Sequence, residues 1–326
     1  MLRGSEVAFV SAGAIEEFLQ LLAAGLTLGC VYGLMCVGLA LIFGIMRVIN
    51  FAQGDYMMPG MYFTMLFTSL IAGEGTAAAF YWAIAGALIA GAFFYGLGAL
   101  SHKTLVGRVS GTRVAQMEDE GHTPQLLLTL GLSLIMQNLA LMFFSSTPRA
   151  IRNPFSGASW QLPVWGEEII VFLNQARFIS ALVAIAIALL LTMVMRRTSL
   201  GRQMRAAADN SVAATYVGVN VNKAHRIAFG LGIALTTVAG ATAATYHTFH
   251  PFTGFEFVII MYAGVVLGGL GSIAGAFFGG LVIGLVQQLS TLVLPVQLQT
   301  ASIFAVFLFI LIVRPQGFFG RSMERA

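Results

Sequence analysis

The chain has 326 residues, of which 58% are hydrophobic and 9% charged, with a formal net charge of +4. Soluble domains carry about 25% charged residues, so these proportions exclude a water-soluble globular protein. Apolar runs near or above the ~18–20 residues that cross a bilayer recur along the whole length. They predict an all-α, polytopic transmembrane bundle of eight or nine membrane segments, not a β-barrel with its weaker strand-length alternation.

Met1–Glu17 carries Glu6, Glu16 and Glu17 and lacks a basic leading region, unlike a cleaved signal. Apolar segments follow near 18–46, 57–72, 78–100, 124–145, 177–195, 225–246, 255–267, 273–294 and 297–313. Placing the gaps 47–56, 101–123, 196–226 and 314–326 on one side collects 13 of the 17 Lys and Arg residues. Only Arg3, Arg149, Arg152 and Arg177 remain opposite. The positive-inside rule makes the richer side cytoplasmic, with the N-terminus outside and the C-terminus inside. Basic residues that sort by membrane side do not point to nucleic acid. The chain reads as one transmembrane domain over 1–326, with an outward loop at 147–176 and an inward loop at 196–224.

The first segment, 18–46, would extend about 43 Å as a helix against a hydrocarbon core of about 30 Å. Gly25, Gly29, Gly33, Gly38 and Gly44 punctuate it, predicting a steep tilt or a break. Cys30 and Cys36, within the same run, read as small buried hydrophobes. Next comes "NFAQGDYMMPG" (50–60), where Asn50, Gln53 and Asp55 stand between two apolar runs and Pro59 is placed to open the following helix. The segment at 255–267 has the opposite defect, being short and running into "GGLGS" (268–272). An irregular segment in each half is the sequence pointer to a transport site. Asn50, Gln53, Asp55, Gly268, Gly269, Gly271 and Ser272 are therefore the expected substrate-pathway residues, because broken helix ends offer backbone groups to a zwitterion without fixed charge.

The outward loop 147–176, with Trp160 and Trp165, reads either as interfacial or as a docking surface for an extracytoplasmic partner. In the inward loop, Asp209–Tyr216 fits a short amphipathic helix, capped by Asp209 or Asn210 and ended by Gly218. Other patterns carry no chemistry. "GLGSIA" (269–274) satisfies a dinucleotide-binding spacing without a strand–helix unit around it, and Lys103-Thr104 follows His102 where a phosphate-binding loop needs Gly. "HTFH" (247–250) has no close sequence carboxylate or Cys, Gly275, Gly279 and Gly280 form small-residue packing steps, and no nucleophile has a His–Asp partner set. No catalytic residue, metal site or cofactor is expected.

"AATYVG" (213–218) resembles the Ala-Ala-x-x-x-Gly coupling loop of ABC importer permeases, with Val212 where that family usually has Glu. "LTLGCVYGLMCVGLALIFGIMRVINFAQGDYMMPGMY" (26–62), "LLTLGLSLIMQNLAL" (127–141), "VVLGGLGSIAGAFFGGLVIGL" (265–285) and "RPQGFFG" (314–320) resemble, in order, the permease subunits of branched-chain (hydrophobic) amino-acid ABC importers. Gln53 stands where that pattern commonly has His. The resemblance implies a multi-pass subunit of a bacterial inner membrane that takes ATP energy from two separate ABC ATPase subunits. It also implies a sister permease or second copy, an extracytoplasmic solute-binding protein and surrounding membrane lipid. Arg205, Asp209, Ala213, Ala214, Tyr216 and Gly218 would then couple to the ATPases. The same family handles urea, short amides and aromatic acids, and a channel-like facilitator is the alternative outside it.

The charge asymmetry yields a first test. Single cysteines at Lys103 and Lys223, in an otherwise Cys-free chain, should resist an impermeant thiol reagent in intact cells. Ready labelling of a cysteine at 223 from outside would overturn the orientation.

Overall fold

The computed structural model of the chain describes residues 2–73, 75–109, 123–165, 169–314 and 316–319. Arg113, Pro315, Gly320, Arg321 and Arg325, which entered the sequence reading, lie outside the described residues. The predicted apolar segments are helices: α1 (Leu2–Met46), α2 (Gln53–Ile71) and α3 (Ala77–Ser101), which runs through a π-helical turn (His102–Val106) into α4 (Gly107–Val109). Then come α5 (Thr123–Phe144), the strands β1 (Ser159–Trp165) and β2 (Ile169–Asn174), and α6 (Gln175–Arg197). The second half holds α7 (Ser199–Asp209), α8 (Ser211–Tyr216), α9 (Val221–Ala243), α10 (Thr253–Gly268), α11 (Ile273–Leu289) and α12 (Gln299–Val313). Among the described residues, 7 helices are long and apolar enough to cross a membrane, and α10 is a shorter apolar helix.

α1 is the axis of the bundle, packing chiefly against α11 and α9 and also against α6 and α10. The break expected within it does not occur: it is one continuous helix of 45 residues. Glycine in a helix costs about 1 kcal/mol against alanine in water, but here Gly25, Gly29, Gly33, Gly38 and Gly44 each face a neighbouring backbone. A Cβ on Gly29 would lie 2.6 Å from the Leu281 carbonyl oxygen, and one on Gly33 would lie 2.8 Å from that of Phe277. Gly38 meets Gly232 and Thr236 of α9, and Gly44 meets Gly271. Across the interface, Gly280 and Gly284 of α11 abut Gly33 and Gly29. In lipid, where the hydrophobic effect does not drive helix association, such close approach supplies the packing energy.

The irregularity comes after Met46 instead. Arg47 takes a left-handed φ of 54°, and residues 47–52 are non-helical. α2 then starts at Gln53, so Pro59 lies inside the helix and not at its first turn. Without an N–H, Pro59 cannot bond the carbonyl four residues earlier, that of Asp55.

Charge sorts by end. Near the ends of α1 and α10, Gly44 meets Gly271, and the α3–α4 turn packs on α9. α7 packs against α1, α6 and α9, and the Phe318 and Phe319 N–H groups donate to the Leu267 and Gly268 carbonyls. The opposite end carries a feature the all-α expectation missed. β1 and β2 pair antiparallel, with Ser159 opposite Asn174 and Leu162 opposite Val171. The "IIVF" run (169–172) suits a strand because its β-branched and aromatic side chains fit a half-buried pleat. Gln20 clamps the hairpin to α1: its Nε2 donates to the Phe172 carbonyl at 2.6 Å and its Oε1 accepts the Phe172 N–H at 2.8 Å.

The glycine seam predicts a contrast. Gly280→Leu should lower the melting temperature of the detergent-purified chain, since overpacking a tight contact costs about 1–3 kcal/mol or more. Gly131→Leu on α5, where a Cβ meets nothing within 4 Å, should leave it unchanged or raised. Equal effects of the two would refute the seam.

Candidate functional site

The stretch 47–55 is not a surface turn at the basic end, as the gap at 47–56 suggested. Gln53 reaches the middle of α9: its Nε2 donates to the Gly232 carbonyl at 3.1 Å and to Thr236 Oγ1 at 2.6 Å. Asn50 Nδ2 donates to Gln53 Oε1 at 3.0 Å. The chain therefore turns back into the bundle before α2 begins. Asn50, Gln53 and Asp55 are all fully buried. Gly54 makes this start possible, because a Cβ there would overlap the Gly254 carbonyl oxygen at the beginning of α10. Two helix N-termini meet at that contact, and both present unbonded backbone N–H groups.

A second group of polar residues was missed by the sequence reading. Gln125, Thr129, Ser133 and Gln137 recur every fourth residue of α5 and are buried, whereas Leu127, Leu134, Ile135, Met142 and Phe143 on the same helix are exposed. Spacing of four places them on one helical face, so the stripe was legible in "QLLLTLGLSLIMQ" (125–137). It faces α2. Gln137 Nε2 donates to Asp55 Oδ1 at 2.9 Å and to Ser133 Oγ at 3.1 Å, and the Phe51 N–H donates to Thr129 Oγ1 at 3.3 Å. From α9, Thr237 Oγ1 donates to the Tyr56 carbonyl at 3.2 Å. Among the described residues, Asn50 Oδ1, Asp55 Oδ2 and the hydroxyls of Tyr56 and Tyr262 are buried without a hydrogen-bond partner. The Tyr262 ring lies 5.5 Å from that of Phe51. A buried polar atom left unpaired costs about 1–3 kcal/mol, so these acceptors and hydroxyls are the unsatisfied groups of this region.

Gly268, Gly269, Gly271 and Ser272 do not join this cluster. Gly54 abuts Gly254 and Val258, near the start of α10, whereas Gly271 abuts Gly44 beyond its end. Along that helix Gly268 lies about 21 Å from Gly254 and about 9 Å from Tyr262, which packs on Phe51. Gly269 and Gly271 have φ of 97° and 87°, which only glycine adopts without strain. Ser272 Oγ caps α11 by accepting the Gly275 N–H at 3.0 Å. A bulky residue at Gly269 would break this turn before it touched any solute.

The inward loop forms two helices where one was expected. Asp209 ends α7, and Asn210 caps α8, its Oδ1 accepting the Ala213 N–H at 2.9 Å. Gly218, with φ of 84°, follows α8. Arg205 donates to the Met195 carbonyl and so ties α7 to α6. Ala214 is only 4% exposed and packs inward, whereas Tyr216 and Val217 are 86% and 78% exposed. Val212, Ala213, Asp209 and Gly218 are exposed with them. The free face of α8 is therefore apolar, and Ala214 seats the helix without belonging to that face. At the other end, the His250 Nε2 lies 3.5 Å from Glu256 Oε1, a carboxylate six residues away that the sequence reading did not pair with "HTFH".

An apolar helical bundle of this kind, with a polar cluster held at its middle, defines a multi-pass membrane protein. Residues 21–313 match the family described as "Branched-chain amino acid transport system / permease component", and the chain belongs to that family. It is 28% identical over 312 residues to the high-affinity branched-chain amino acid transport system permease protein LivH of Escherichia coli, covering 93% of this chain and 96% of that one. It is 30% identical over 317 residues to the corresponding protein BraD of Pseudomonas aeruginosa, covering 94% and 97%. The fructose import permease protein FrcC of Rhizobium meliloti is 30% identical over 188 residues, 55% of this chain and 50% of that one. No solved structure matches the chain.

Gln53 is the hub of the cluster. Gln53→Leu should orphan the Asn50 amide, which donates to Gln53 Oε1, and cost about 1–3 kcal/mol, read as a lowered melting temperature in detergent. Gln53→Glu, which keeps the acceptor but loses the donors to α9, should fall at least as far. An unchanged melting temperature in both would show that the network does not hold α2.

Proposed function

We propose that the chain is the inner-membrane permease subunit of an ATP-driven importer for branched-chain or similar hydrophobic amino acids, with its basic end in the cytoplasm. The carrying observation is the set of buried, unpartnered acceptors Asn50 Oδ1 and Asp55 Oδ2 beside the helix start at Gln53. An α-ammonium would satisfy those acceptors, and the N–H groups at the α2 and α10 starts would face the carboxylate. The apolar surroundings, including Met57, Met61 and Phe257, suit an aliphatic side chain. Met261 belongs to the same core cluster. Among the described residues no Lys or Arg is drawn into this cluster, so a strongly charged solute would lack compensation there.

The relatives LivH and BraD, named for branched-chain amino acid transport, support the solute class. The energy would come from separate ATPase subunits seated on the exposed Val212, Tyr216 and Val217 of α8, leaving this chain without its own ATPase site. A sister permease or second copy would complete the translocator. A solute-binding protein would dock at the hairpin end.

The test is uptake of radiolabelled leucine by vesicles holding the full complex, with urea and a dicationic amine as controls. Asn50→Leu should cut leucine uptake about tenfold or more, as loss of a buried polar contact to ligand does, while the ATPases still co-purify. Tyr216→Asp should instead release the ATPases. Vigorous transport of the dication, or full leucine uptake by Asn50→Leu, would refute the route.

A further inference from the structure

The chain stays helical past the apolar run that ends with α3. The π-helical turn at His102–Val106 and the short α4 carry the chain across the start of α9. Between them lies a cleft of about 410 Å³ whose lining carries four cationic side chains, Lys103, Arg108, Lys223 and Arg226, beside the imidazole of His102. No carboxylate lines it among the described residues. Sorting of basic residues to one membrane side would spread them over an end surface. Here two segments more than a hundred residues apart in sequence converge them on one concavity.

One further feature favours an anion, and another shows the depth of the cleft. Asn220, also in the lining, caps α9 by accepting the Lys223 N–H at 2.9 Å, which sets the positive end of a 23-residue helix against the cleft. His102 is only 4% exposed, its ring 5.8 Å from that of Phe229. Gly107 makes room for that ring, since a Cβ there would lie 3.2 Å from His102 Cε1. The cleft is therefore built inward from the surface, with a buried imidazole in its wall.

Its position selects among anions. α3 and α9 are both candidate spans, so their shared end lies at the edge of the apolar layer. Leu97, Leu100 and Leu105, on α3 and its continuation, are exposed beside it. A ligand that contacts both the basic cleft and this apolar row needs a phosphate joined to hydrocarbon. We propose that the cleft binds the phosphate of an anionic phospholipid headgroup, with the acyl chains lying along Leu97, Leu100 and Leu105. Basic pockets between transmembrane helices on the cytoplasmic side bind such headgroups in general.

The test is native mass spectrometry of the full chain released from detergent, with phosphatidylglycerol, cardiolipin or zwitterionic phosphatidylethanolamine added. The wild-type chain should retain the anionic lipids preferentially. The triple variant Lys103→Gln, Lys223→Gln, Arg226→Gln should lose that preference by about fivefold per cation removed, with an unchanged melting temperature. Arg196→Gln with Arg197→Gln, outside the cleft lining, should retain it. Equal losses in both variants would reduce the cleft to general surface charge and overturn the site. Displacement of the lipid by millimolar inorganic phosphate would make free phosphate the occupant and overturn the lipid assignment. Unchanged lipid retention by the triple variant, with loss of the ATPase subunits from the complex, would make the cleft a protein-docking surface.

Discussion

The fold depends on how closely helix backbones can approach one another along α1. In a bilayer, apolar side chains gain little by leaving lipid for protein, so association rests on van der Waals contact and interhelical hydrogen bonds. The glycine faces of α1 and α11, meeting at Gly29, Gly33, Gly280 and Gly284, maximise that contact. α10 joins the same seam through Gly264 and Gly268, which abut Gly279 and Gly275. Once these helices are locked together, the chain leaving α1 has a rigid wall to turn back against. The mid-bundle start of α2 is a consequence of that wall.

A non-helical stretch inside an apolar bundle survives only if its polar groups are answered by protein. Residues 47–55 meet this condition through α5 and α9 as well as through local bonds such as that from Asn50 to Gln53. α9 supplies the Gly232 carbonyl and the Thr236 hydroxyl to Gln53, and α5 supplies Gln137 to Asp55. The satisfied groups fix α2 in place. The unanswered ones, Asn50 Oδ1 and Asp55 Oδ2, are the acceptors on which the proposed solute route rests. The same atoms thus separate into a structural set and an available set, which is how a site can be both held and vacant of internal partners.

The two ends of the bundle divide the remaining tasks. The basic end carries short, amphipathic helices: α7 buries Met204 and Ala207 while Arg202 and Arg205 stay exposed, and α8 turns its apolar face outward. The opposite end is stiffened by the β1–β2 hairpin, by Gln20, and by the Arg149–Phe249 bridge between the loop after α5 and the segment between α9 and α10. A displacement of α7 and α8 would reach α1, α6 and α9, against which α7 packs. Through Gln53, α9 bears directly on the start of α2.

The apolar segments, their sorting of charge and the family motifs were determined by the sequence alone, because span length, hydropathy and the placement of Lys and Arg are local properties that a bilayer reads directly. The cap at Asn210 and the turn glycines were legible for the same reason. What only the tertiary structure decided were pairings across the chain. It showed that the glycines of α1 serve contact and not a break, and that Pro59 lies within a helix that starts earlier. It also turned Gly268–Ser272 into a buttressed turn that stands apart from the Asn50–Asp55 hydrogen-bond network. The hairpin required strand partners, and the polar face at Gln125, Thr129, Ser133 and Gln137 had spacing but no visible target. A buried polar group is defined by what it meets, and its partners on α5 and α9 lie about 80 to 180 residues away in sequence.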